Sequence, residues 1–328
     1  MNHFKVTSML LMMTAMSLVS CGADNHSLSD STSDSGVESS SSSVVSTSID
    51  EPSASTSTST STSTSASPST STSSADYYAP ISDSLSGSSL STALHNLTLS
   101  KHTFYCTYGD IRYQFGSSDA DPNVKGNAIY FYSRASQTST WDSQKLIFNR
   151  EHVWPQSLSG GLYSDVNNSY KGAGSDLHHI RPEYTGVNGN RGNTTFGEIT
   201  GSFSYLSGEV TTQTKISGSV IEVQDAIKGD VARILLYLYL HYYSGFGNTN
   251  TYTSSSFTLN RVVSAGSLDN AIALMIKWNK LDPVDSLEEA RNTYVSSYQG
   301  NKNPFIDHPE YACRIWGNTN SATQALCA

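Results

Sequence analysis

Charge is what this sequence has least of. Only 14% of its 328 residues are Asp, Glu, Lys or Arg, and the basic sign is the rarer, 19 against 28, for a formal net charge of −9. Asp24, Asp30, Asp34, Glu38, Asp50 and Glu51 face Lys5 alone in the first 75 residues, so that segment holds −5 of the total and leaves −4 for the rest. A mildly acidic remainder argues against a broad basic surface for nucleic acid, and any contact with a polyanion has to be local. Long apolar runs are missing too. MLLMMTAMSLV near the N-terminus is too short for a comfortable membrane span. Cysteine is scarce: Cys21, Cys106, Cys313 and Cys327 are the full set, and none has metal-site spacing.

What is abundant is serine and threonine. From Ser27 to about Ser74 they dominate, including the alternating TSTSTSTSTS, and a segment with so little to bury cannot offset its conformational entropy. It reads as a linker with a reach of roughly 40 Å if it behaves as a flexible coil. Residues 1–20, with Lys5 followed by the apolar run, read as a signal peptide. Their end, Leu18-Val19-Ser20-Cys21-Gly22, resembles the lipobox of bacterial lipoproteins, which implies lipidation of Cys21 and attachment to a membrane; secretion is the outcome if the lipobox is not used. The expected layout is a signal peptide at 1–20, a lipidated and disordered segment at 21–75, and a folded domain at 76–328. Among the remaining cysteines one bridge and one thiol are expected, Cys313 with Cys327 being the shortest closure and Cys106 with Cys313 left open.

The folded part reads as a single α+β domain, mostly helical in its C-terminal half. Leu90, Leu94 and Leu97 mark a short helix, and AIYFY and KLIFN are strand-like. DAIKGDVARILLYLYLHYY, residues 225–243, is apolar nearly all round and reads as a buried central helix. Leu268, Ile272, Met275 and Ile276 share a helical face. Ser286 with Glu289 has capping-box spacing ahead of a stripe of Leu287, Ala290, Tyr294, Val295 and Tyr298 that ends at Gly300.

The chemistry is concentrated in FNREHVWPQS, residues 148–157, and SDLHHIRPEYTGVNGNRGN, residues 175–193. In a strand, Glu151 and His152 point to opposite faces, and Pro155 ends the ladder. DLHHI reads as a second strand, with Pro182 at the first turn of a helix on which Asn188 and Arg191 share a face. Three glycines make that helix a poor one by propensity, so packing or a ligand has to hold it.

Strand, loop, strand, helix with this histidine and asparagine resembles the ββα-metal, or His-Me finger, nuclease motif. NREHVWPQS, DLHHIRP, VNGNRGN, GDVARILLYLYLHY and NKNPFIDHPEYA, in that order, resemble the bacterial endonuclease I family of nonspecific nucleases. The resemblance implies a monomeric nuclease with His152 as general base and Glu151 and Asn188 as ligands of a single Mg²⁺, for which Mn²⁺ or Ca²⁺ can substitute. The partner it implies is DNA, or alternatively RNA, cut to leave 5′-phosphates. Arg191 is weighed evenly as a phosphate clamp or as a packed, acid-paired arginine. His178 and His179 are expected to be core residues that orient the motif, and Arg150 and Arg181 to lend positive charge or to be ordinary surface residues. Asp230 with Arg233 reads as a structural ion pair, and His308 as structural. Two further functions stand beside the nuclease: a zinc hydrolase using His152, His178 and His179, and a non-catalytic surface-binding lipoprotein.

Overall fold

The computed structural model describes residues 77–243 and 254–328. These fall in the compact unit Ser69–Ala328, whereas the signal segment, Cys21, the Ser/Thr linker and the expected domain start at residue 76 lie outside the described residues. In chain order the elements are α1 (Gly87–Lys101), β1 (Asn127–Ile129), β2 (Ser136–Thr138), β3 (Phe148–His152), β4 (Ile180–Tyr184) and α2 (Thr185–Arg191). There follow β5 (Thr195–Phe196), β6 (Ser204–Ser207), β7 (Thr211–Ser217) and β8 (Val220–Glu222). The C-terminal part adds α3 (Lys228–Tyr242), α4 (Leu268–Leu281), α5 (Ser286–Gln299), α6 (Tyr311–Trp316) and α7 (Ser321–Cys327), with single helical turns between. This is an α+β fold with small sheets and a helical C-terminal half.

Helix α3 is its centre. Every residue of it is buried, as an all-round apolar sequence requires, and it packs against α1 and α4. Burying each of its large aliphatic side chains, such as Leu235 and Leu238, contributes about 1.5–3 kcal/mol. α1 turns Leu90, Leu94 and Leu97 toward it, and α4 turns Ile272, Met275 and Ile276, its N-terminus capped by the Ser267 hydroxyl accepting from Asn270 N–H. A disulfide joins Cys313 to Cys327 with Cα atoms 5.5 Å apart, and Cys106 is a buried free thiol.

α5 departs from its expected pattern. Its cap is Asp285, whose carboxylate accepts from Leu287 and Glu288 N–H, one residue ahead of the expected Ser286. Its inward face is Glu288, Arg291, Asn292, Val295 and Gln299, while Ala290 is exposed and Leu287, Tyr294 and Tyr298 are only half-buried. A polar face is buried because it has partners across the interface. Arg291 binds Asp119 and the carbonyls of Leu177 and Ile180, and Gln299 accepts from Leu177 N–H at 2.6 Å and donates to Asp176 at 3.0 Å. Helix α5 thereby holds the chain leading into β4. It ends, as expected, at Gly300, whose φ of +95° and whose Cβ-sized gap of 2.2 Å to the Lys101 carbonyl admit no side chain.

The strands are shorter than their apolar runs. β1 stops at Ile129, and Tyr130, Phe131 and Tyr132 are buried in the turn that follows, with Phe131 N–H donating to the Pro182 carbonyl. β3 begins only at Phe148, leaving Leu146 and Ile147 exposed. β3 and β4 form a two-stranded antiparallel ribbon with Glu151 opposite Arg181 and His152 opposite Ile180. Pro182 lies inside β4, opposite Arg150, rather than opening a helix. Thr185 N–H bonds to the Ile147 carbonyl, so by antiparallel alternation the Pro182 nitrogen faces away from β3, toward the Tyr130–Tyr132 turn, where no ladder bond to β3 is lost. His178 and His179 likewise sit in a turn before β4, not in a strand. The remaining sheet has the order β5-β8-β7-β6, with β5 parallel to β8.

Candidate active site

Glu151 and His152 close strand β3 and diverge as strand neighbours must. Glu151 is 2% exposed, and its Oε1 accepts from the Tyr132 hydroxyl at 2.7 Å and lies 3.4 Å from Arg191 Nε. Burial raises its pKa, opposed by the Arg191 charge and the Tyr132 hydrogen bond. No hydrogen bond within the described residues engages its Oε2.

His152 is half-buried, its ring flanked by Tyr108 at 5.2 Å and Tyr163 at 5.8 Å in near-parallel stacks. Nε2 is 2.9 Å from the Gly174 carbonyl. A carbonyl can only accept, so Nε2 carries the proton and Nδ1 of the neutral ring keeps its lone pair. Burial, then the neighbouring His179, Arg150 and Arg191, hold the imidazole down at about 3. It is therefore neutral across the physiological range.

The loop that presents Gly174 is fixed from three sides. Ser175 Oγ accepts from Gly172 N–H and donates to the Cys106 carbonyl at 2.9 Å. His179 Nε2 accepts from Trp154 N–H at 3.0 Å, which makes Nδ1 the donor to the Ala173 carbonyl at 3.0 Å. His178 faces elsewhere, against the Tyr237 ring with Nε2 donating to the Asn301 carbonyl. Burial lowers the pKa of both to about 4. Since His178 turns from His152 and His179 toward α3, the three are not gathered around one zinc position.

Helix α2 follows β4 directly and is held by Glu209, whose carboxylate accepts from Gly186 and Val187 N–H at its N-terminus. That supplies the stabilisation its glycines withhold. Asn188 is half-buried, and its carboxamide makes no hydrogen bond within the described residues. Arg191, one turn later, is 1% exposed and bound to the carbonyls of Val153 and Gly192 as well as to Glu151. Of the two readings weighed for it, the structure has the acid-paired one. Arg181 is also buried, on Asp119 at 2.7 Å. Arg233 pairs chiefly with Glu288 and more distantly with Asp230, at 3.9 Å. His308 lies against Glu310 and stacks on Tyr311, away from these groups.

The donor set of Glu151 and Asn188, one carboxylate and one carboxamide, suits a hard divalent cation that keeps water and takes phosphate oxygens. A different group, His102, Asp176 and His241, places metal-capable atoms within 4.8 Å of one another among the described residues. All three are buried, and Asp176 already accepts from Tyr237, Tyr242, Gln299 and His178 N–H. That network joins α3 to the Gly174 loop.

A family model described as Endonuclease I matches residues 86–310. The chain belongs to the Endonuclease I family. Its β3–β4–α2 unit and helices α1, α3, α4 and α5 lie inside that match, and it is a nuclease. Among curated proteins it is similar to an extracellular ribonuclease of Bacillus amyloliquefaciens, 35% identical over 235 residues that cover 70% of this chain and 75% of that protein. An extracellular ribonuclease of Bacillus subtilis (strain 168) is 34% identical over 245 residues, 74% of this chain and 78% of the relative. Endonuclease-1 of Buchnera aphidicola subsp. Acyrthosiphon pisum (strain APS) is 23% identical over 137 residues, 42% and 46% of the two chains.

Several groups around the Endonuclease I site are invisible to sequence reasoning. Tyr132, Tyr108, Tyr163 and the Gly174 carbonyl carry no motif, and Gln299 and Arg291 act on the site from more than a hundred residues away.

Proposed function

We propose that this chain is an exported, nonspecific endonuclease that hydrolyses both RNA and DNA with one divalent metal ion and His152 as general base. The observation that carries the reading is the 2.9 Å contact from His152 Nε2 to the Gly174 carbonyl, which leaves Nδ1 unprotonated and aimed away from the protein's own acceptor. At neutral pH such a ring accepts a proton from water, and the stacked Tyr108 and Tyr163 rings keep it from turning. Glu151 and Asn188 are the proposed protein ligands of Mg²⁺, with Mn²⁺ or Ca²⁺ as substitutes. The metal would polarise the phosphoryl oxygen and neutralise charge developing on the leaving 3′ oxygen, giving 5′-phosphate ends. Arg191, through its contact with Glu151, positions that ligand rather than touching substrate. His179 acts through the loop that orients His152, and His178 anchors the turn before β4 to the Asn301 carbonyl.

RNA enters the proposal through the names of the Bacillus relatives, and DNA through the machinery itself, which addresses phosphate and has no base-reading module. The same names support export. Lipidation at Cys21, attachment to the membrane by that lipid, and a monomeric catalytic domain from residue 76 complete the proposal. No helix among the described residues is long and apolar enough to cross a membrane.

The test is cleavage of single-stranded RNA, single-stranded DNA and supercoiled plasmid by the purified chain, with Mg²⁺, with chelator, and with His152→Ala. Metal-dependent cutting of RNA and DNA that collapses in the variant is expected. A well-folded wild type inert with every divalent ion would overturn the reading.

A further inference from the structure

The domain is mildly acidic, yet four of its arginines, Arg112, Arg150, Arg261 and Arg314, form no ion pair with any described residue. Arg261 donates its Nε–H to the Leu158 carbonyl and Arg314 donates to the carbonyls of Asp83 and Leu85, which leaves Arg112 and Arg150 as the pair near the candidate site. Both guanidinium groups border the same ring, Trp141, at 5.0 and 5.3 Å from its centroid. In each the Nε–H is buried and has no hydrogen-bond partner. The Arg112 guanidinium makes no hydrogen bond among the described residues; its neighbours are the faces of Trp141 and the exposed Tyr113. Arg150 is anchored by Nη1 to the Tyr108 carbonyl at 2.7 Å and to Asn168 at 3.2 Å, which leaves the rest of its donor fork unused.

Two positive forks side by side, with buried donors unfilled, are costly for the protein alone. They are matched by an anion with several oxygens, and planar guanidinium groups suit phosphate in particular. Their position says which phosphate. Arg150 and His152 are two apart on β3 and share a side of the strand, roughly 7 Å from each other along it. The Tyr108 ring fills the interval, with the Arg150 guanidinium 3.8 Å over its centroid and the His152 ring stacked 5.2 Å away. A strand whose scissile phosphate sits at His152 would bring the next one along its backbone to the arginines.

We propose that Arg112 and Arg150 form a phosphate clamp that binds the phosphodiester neighbouring the one being cut. The clamp rests on the nuclease reading above and adds its substrate register: a nucleic-acid strand extending past the scissile bond over Tyr108 toward Trp141. It also gives an acidic nuclease a local attraction for a polyanion beside the proposed scissile position.

The test uses the full chain carrying His152→Ala, so that substrate survives, and a fluorescently labelled single-stranded RNA octamer. Anisotropy titrations at a series of NaCl concentrations give Kd and its salt slope. Arg112→Gln, which removes no hydrogen bond, is expected to weaken binding about 5- to 30-fold and to flatten the slope by about 0.7, one single-strand phosphate contact. Arg112→Lys should restore the slope, since it keeps the charge, and Arg150→Gln should flatten it as Arg112→Gln does. Kd and slope unchanged in both Gln variants, with a wild type that still cuts RNA, would overturn the clamp and leave the nuclease standing. A wild type that neither binds nor cuts the octamer would overturn the nuclease reading and the clamp with it.

Discussion

Arg191 Nε lies 3.4 Å from Glu151 Oε1, and neither side chain is more than a few per cent exposed. The carboxylate proposed to hold metal is thus tied to the helix that also carries Asn188, and the two halves of the motif are locked together by one buried ion pair.

Removing one member strands the other's charge in the interior. Arg191→Leu is expected to destabilise the domain by about 3–5 kcal/mol. Urea unfolding measures it, and adding Glu151→Gln should recover part of the loss, because the uncompensated charge is then gone. A single variant within about 0.5 kcal/mol of wild type would refute the pairing.

His152→Ala is expected to lower the cleavage rate about 10²- to 10⁴-fold on RNA and DNA alike, with the circular dichroism spectrum unchanged. The cost to folding is small because the ring is only half-buried. Retention of more than about a third of the wild-type rate would exclude it as the base.

Asn188→Ala removes one of the two proposed oxygen ligands from a helix that is held independently by Glu209. Mg²⁺ titrations of activity should shift at least about tenfold, equivalent to about 1.4 kcal/mol, and saturating metal should restore much of the rate. An unshifted titration would place the metal elsewhere, with the His102, Asp176 and His241 group the next to test.

His178 is held at about 4 by burial, against an unfolded value near 6.5. Between those values the unfolded chain binds a proton that the folded chain does not, so this contribution is complete above about pH 6.5 and is lost as pH falls toward 4. His178→Asn should reduce the slope of unfolding free energy against pH in that window by up to about 1.4 kcal/mol per unit. Parallel curves for variant and wild type would show that His178 titrates alike in both states.

Periodicity and punctuation were enough for much of the fold. Leu90, Leu94 and Leu97, the all-round apolar run of α3, the Ile272–Met275–Ile276 face and the stop at Gly300 are local signals, and each element formed where its own residues direct it. The order of acid, histidine, proline, paired histidines and asparagine was likewise enough to suggest a ββα unit and the Endonuclease I family, because spacing along the chain is all such a motif consists of.

Only the tertiary structure decided how those residues are used. Pro182 sits in a strand because its nitrogen faces away from β3 and no ladder bond is lost, and α5 buries Glu288, Arg291 and Gln299 because charged and carbonyl partners wait across the interface. Arg191 is enclosed and paired while Arg112 and Arg150 are left without acids, although nothing in their immediate sequence separates them. The physical reason is common to all of these. A polar side chain's state depends on which partners and how much water reach it, and those come from segments that only folding brings near.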